Sequence, residues 1–103
     1  MAEGIYRLVT WRVPGALQAQ AWTALASVEG VAVELEPGRT AVAGEYSYLR
    51  CTTRYLGEGA AALTAETRDC QRHLDAMRTA LRKAGVEHKQ VGAGVGTFPV
   101  DAH

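Results

Sequence analysis

Polar and apolar side chains alternate through Tyr46-Ser47-Tyr48-Leu49-Arg50-Cys51-Thr52-Thr53-Arg54-Tyr55, a period of two that predicts one long strand over about 45–56. Leu49, Cys51 and Tyr55 fall on one of its faces, and Tyr46, Tyr48, Arg50, Thr52 and Arg54 on the other. Residues 5–13 are dense in β-branched and aromatic side chains and read as a second strand. There Ile5, Val9, Trp11 and Val13 share a face with Arg7 as the exception, opposite Tyr6, Leu8, Thr10 and Arg12. Val31, Val33 and Leu35 alternate with Ala32, Glu34 and Glu36, the pattern of a strand with one wet face.

Two stretches carry the helical period instead. Leu17, Ala21, Ala24, Leu25 and Val28 predict a helix over about 15–29, with Pro14 suited to its first turn and Gly30 to its end. Leu63, Thr67, Cys70, Leu74, Met77, Leu81 and Ala84 form a longer stripe that Gly85 stops. Thr64 is its expected N-cap, Glu66 suits the positive start, and Arg82 and Lys83 suit the negative end. Pro37-Gly38 predicts a tight turn into a short strand at 39–43, and Gly44 reads as either a bulge or a turn before the long strand. A last strand is expected over about 86–98, weakened by Gly92, Gly94 and Gly96.

Strand, helix, two or three strands, helix and strand make an α+β two-layer sandwich, with both helices on one face of a mostly antiparallel sheet. This order resembles ferredoxin-like domains, β-α-β-β-(β)-α-β. That group includes small-molecule sensors, RNA binders and the dimeric α+β barrel enzymes of antibiotic and aromatic-compound metabolism. The resemblance covers most of the chain, rests on element order rather than a motif, and transfers no activity. A single domain over 1–103 is expected, with 99–103 as a C-terminal tail.

Composition narrows the function. Hydrophobic residues are 48% and charged residues 21%, as in a folded globular domain. Eleven basic residues balance eleven acidic ones, so no global field draws in nucleic acid or an anionic membrane, and any anion site is local. No apolar run approaches the roughly 20 residues of a membrane span. Met1-Ala2-Glu3-Gly4 lacks the basic-then-apolar order of a secretion signal, so the cytoplasm is the expected compartment. Cys51 and Cys70 are expected to be buried free thiols rather than a disulfide.

With the apolar faces under the helices, the opposite sheet face is left open. It collects Tyr6, Arg12, Tyr46, Tyr48, Arg50 and Arg54, to which His88 is added as an acid/base or anion contact. Tyrosine and arginine are enriched in interfaces, which points to a homo-oligomer, a dimer in the simplest case, that pairs these faces. The same residues suit a small ligand, with rings stacking on a planar group and a guanidinium forking onto a carboxylate or phosphate. A binding or assembly domain is thus the first expectation. The alternatives are a cofactor-free enzyme of the dimeric barrel type acting on a small aromatic or polyketide-like substrate, and a single-stranded RNA platform. Zero net charge and Glu34 and Glu36 on the same face weigh against RNA. No cofactor or metal is expected. Cys70, His73 and Asp69 are weakly spaced for a metal, His73 reads as a helix-surface residue near Asp69, and Asp69, Asp75, Glu66 and Glu87 read as solvated charges. Gly92-Ala93-Gly94-Val95-Gly96 has no helix after it to make a phosphate loop and reads as a kinked edge strand.

Overall fold

The computed structural model describes residues 3–36, 45–57 and 60–99. In chain order the elements are β1 (Glu3–Pro14), a 3-10 turn (Gly15–Leu17), α1 (Gln18–Ala26), β2 (Val31–Leu35), β3 (Tyr46–Tyr55), α2 (Ala61–Lys83) and β4 (Lys89–Pro99). The sheet runs β2-β3-β1-β4 with every neighbouring pair antiparallel. Both helices pack on one of its faces, so the architecture is the ferredoxin-like α+β sandwich. The turn expected at Pro37-Gly38, the strand at 39–43 and the break at Gly44 lie outside the described residues, as does the C-terminal segment from 100 onward.

The core follows strand parity. Trp11 and Val13 from β1 and Leu49 and Cys51 from β3 meet Ala21 and Leu25 of α1 and Met77 and Leu81 of α2, all buried. Ser47, also inward, donates its hydroxyl to Oε1 of Gln18 at 2.7 Å and ties β3 to the start of α1.

The first helix is shorter than its periodicity predicts. Pro14 closes β1 instead of opening a helix, and Leu17, at φ −106°, separates the 3-10 turn from α1. At the other end Ser27 Oγ donates to the carbonyl of Ala24, and the chain reverses through Gly30 at φ +83°, a conformation that costs glycine little.

The second helix begins at Ala61, three residues before the expected Thr64 cap. Thr64 instead donates its hydroxyl back to the carbonyl of Ala60. Its inner face is also turned from the expected stripe: Leu63 is 57% exposed, while Ala62 and Glu66 point inward. Glu66 is therefore no solvated charge. It is 7% exposed and forms an ion pair with Arg7, the residue that breaks the apolar face of β1. The two exceptions to the hydrophobic pattern are each other's partners, and their meeting rotates the first turns of α2.

His73 departs from expectation for the same reason. It lies half-buried on the inner side of α2, with Nδ1 2.9 Å from the hydroxyl of Tyr55, which in turn accepts from Thr53 Oγ1 at 3.3 Å. Asp69 is engaged by Arg68 and Arg72, and these guanidiniums hold its carboxyl below the usual carboxylate range. Asp75 pairs with Arg78 at 3.7 Å. The layer between α2 and the sheet is thus apolar toward Leu81 and polar toward Glu66.

β4 starts at Lys89, later than its composition suggests, because Val86 is drawn into the core and bonds back to the carbonyl of Leu81. Its pairing with β1 shifts by one residue: Thr10 faces Gly92 and Trp11 faces Gln90, with Val91 the extra residue of a bulge.

Both cysteines are free. Burial pushes the Cys51 thiol up from its ordinary 9.0 to about 12, and burial likewise raises the Tyr55 phenol, against the lowering effect of its bond from Thr53. The unfolded thiol ionises near 9 while the folded one keeps its proton, so this contribution is whole below pH 9 and is lost as pH rises toward 12. Urea unfolding at pH 7 and pH 10 should show the native chain losing about 1 kcal/mol more than Cys51→Ala does over that interval. Arg7→Met should cost about 2 kcal/mol, below the range for fully buried pairs because Arg7 keeps an exposed edge. Arg7→Met/Glu66→Leu, measured the same way, should recover most of it.

Candidate functional site

The seven residues singled out above occupy three places. At one end of the open face Tyr6, Phe98 and Arg54 form a cluster: the Tyr6 and Phe98 ring centroids are 6.4 Å apart and the Arg54 guanidinium sits 5.4 Å from the Phe98 ring. Each ring reaches over the glycine that faces it across the β1–β4 ladder, Tyr6 over Gly96 and Phe98 over Gly4. A methyl group at Gly96 would come within 2.3 Å of the Tyr6 hydroxyl, and one at Gly4 within 2.3 Å of the Phe98 ring.

The centre of the face holds Tyr48 and Arg50. Arg50 Nε donates to Glu34 at 2.7 Å across the β2–β3 ladder, so its charge is matched within the chain. Thr10 donates to Glu36 at 3.1 Å and is only 3% exposed although no helix covers it. The centre thus holds charges and hydroxyls that are already ion-paired or hydrogen-bonded and is not a bare cationic platform.

The third place is a cleft of about 550 Å³ at the end of the sheet where β1 finishes and β4 begins. Arg12, Tyr46 and His88 line it together with Arg82 and Lys89. Arg12 lies over the Tyr46 ring, its guanidinium carbon 4.5 Å from the centroid, a cation–π contact that positions the charge at the cleft. The β1–β4 register sets Lys89 beside Arg12, and Arg82 enters from the last turn of α2. Among the described residues of the lining Glu87 is the one carboxylate, against the three cationic side chains of Arg12, Arg82 and Lys89.

His88 stands just before β4 and not within it. Its Nδ1 is 3.0 Å from the carbonyl of Val86, and since a carbonyl only accepts, Nδ1 carries the hydrogen. In the neutral ring Nε2 is then the acceptor. The ring is held edge-on against buried Trp11, with centroids 5.4 Å apart and planes at 79°. The site therefore combines an imidazole held in place by Val86 and Trp11 with three cations at the rim of an aromatic wall.

The sequence pointed to Arg12, Tyr46 and His88 but not to Arg82, which read only as a helix-end charge. Placing Arg82 in the cleft needs the return of the chain through Gly85, at φ +70°, and no local pattern states that. Among the described residues no group of three or more His, Cys, Asp or Glu is placed to hold a metal, and no helix is long and apolar enough to cross a membrane.

No protein-family model matches the chain, and no curated protein does. Among solved structures it is similar to AtUAH in complex with (S)-hydroxyglycine and to AtUAH in complex with glyoxylate. Each has a TM-score of 0.38 and 17% identity over 98% of this chain and 29% of the other. The chain thus spans about 29% of the length of those proteins, and a likeness this distant carries no function across.

Proposed function

We propose that this protein is a small binding domain whose ligand is an anionic small molecule held in the cleft at the end of the sheet. The observation that carries the reading is the convergence of Arg12, Arg82 and Lys89 on His88 in a space of about 550 Å³, within the range usual for small-molecule sites. Phosphate or carboxylate oxygens accept from the guanidiniums, and a hydroxyl on the ligand donates to Nε2 of His88. The Tyr46 ring and Pro14 supply an apolar wall for the rest of the molecule.

Thermal shift and calorimetry with inorganic phosphate, pyrophosphate, nucleotides and aromatic acids test this. At least one class should stabilise the protein in a salt-sensitive way, and Arg12→Ala or Lys89→Ala should weaken binding about tenfold, the loss of one charge-assisted contact. Stabilisation by none of them, or binding indifferent to both substitutions, would reject the cleft.

A second reading, in which the open sheet face is a subunit interface, is favoured by Tyr6, Leu8 and Phe98, apolar surface over which the described residues place no further layer. Pairing two such faces makes a homodimer. Light scattering should then report a dimer at micromolar concentration and a shift to monomer in Tyr48→Ala with helix content kept; a native monomer rules this reading out.

A further inference from the structure

Away from both the cleft and the open face, the polar half of the interlayer encloses a hollow of about 70 Å³ between α2 and the sheet. Its lining is unusual for a core. The same helix fills the other half of the layer with Leu81, whereas here Arg7, Gln71, His73 and Gln90 line unfilled space together with Val9 and Met77. Partly buried polar groups around a void stabilise less than packed apolar residues do, and such departures from core packing are found at functional sites.

The hydrogen bonding decides what the hollow can take. Thr53, Tyr55 and His73 bond to one another in series. Gln90 Oε1 accepts from Arg78 at 3.3 Å, which leaves its amide nitrogen as the group with hydrogens to give. Arg7 spends one nitrogen on Glu66, which does not line the hollow, and keeps its other N–H groups. Gln71 spends its amide nitrogen on Asp75 and adds an acceptor to the lining, while the Arg7 guanidinium and the Gln90 amide are its strong donors and match a head that accepts two hydrogen bonds, a carboxylate. Val9 and Met77 give its tail an apolar floor. The size limits that tail, since roughly 70 Å³ is about half the cavity that holds a benzene.

A way in exists at the edge strand. Ala93 and Val95 face the helical side of β4, opposite Val9 and Arg7, and both are exposed because α2 does not reach over them. Val95 is 65% exposed. Ala93 therefore forms the mouth, with Arg7 beside it.

We propose that this hollow is a second binding site, for a short aliphatic carboxylate of about two or three carbons, with the head on Arg7 and Gln90 and the tail lying beside Cys70. It is independent of the anion site in the end cleft.

Cys70 makes the proposal testable, because it lines the hollow and is half-buried while Cys51 is fully buried. Bromoacetate and bromoacetamide alkylate a thiol by the same step: sulfur bonds to the methylene carbon, bromide leaves, and the thiol proton passes to buffer. They differ in the carboxylate alone. In the native protein the bromoacetate-to-bromoacetamide rate ratio at Cys70 should exceed the ratio in the urea-unfolded chain about tenfold, saturate with reagent, and fall when propionate is added. Ala93→Leu, which narrows the mouth without touching the buried ion pair, should abolish the preference. Arg12→Ala, in the end cleft, should leave it intact. A native ratio equal to the unfolded one, a preference unaffected by propionate or by Ala93→Leu, or a preference lost in Arg12→Ala would each overturn the proposal.

Discussion

The ladder between β1 and β3 joins Ile5 to Tyr55 at one end and Pro14 to Tyr46 at the other, and most spatial relationships in this fold descend from it. Because side chains alternate, that register commits Trp11, Val13, Leu49 and Cys51 to the helices and Tyr6, Arg12, Tyr46 and Tyr48 to the far side. A slip of one residue would put the indole outside and guanidiniums under the helices. Burial of Trp11 and Leu49, at about 25 cal/mol per Å² of apolar surface, opposes any such slip. The chemistry of the open face is thus fixed by what the closed face must bury.

On the closed face the layer is of two kinds. Toward the end of α2 it is an ordinary apolar core; toward the start it holds an ion pair, a phenol, an imidazole and a thiol. Ion pairs of this kind add little net stability, since desolvation offsets most of the attraction. Their contribution is to orientation: Glu66 can be buried only where Arg7 is, and so the first turns of α2 have a single workable rotation over the sheet.

The strands and the parity of the two central ones were legible in the sequence because period-two alternation at Leu49, Cys51, Val9 and Trp11 is a local signal. The rotation of α2 was not. Leu63 and Thr67 continue the apolar stripe of their own helix, and only a contact between residues 59 positions apart, Arg7 and Glu66, overrides it. His73 was misplaced with it. The break of Arg7 in an otherwise apolar strand face was the one available warning that a buried acid lay elsewhere. In the candidate cleft, Arg12, Tyr46 and His88 were nameable from residue type, whereas Arg82 required knowing how the end of the long helix returns to the edge strand.

The single extra residue at Val91 has a consequence for how the cleft is tuned. Were the ladder regular, Gln90 would stand beside Arg12 and Lys89 beside Val13; with the bulge, Lys89 stands beside Arg12 and Gln90 beneath the helix next to Arg78. One inserted residue therefore exchanges an ammonium for an amide at the cleft and the reverse in the core. A one-residue deletion at this point of the chain would alter the polarity of both compartments together.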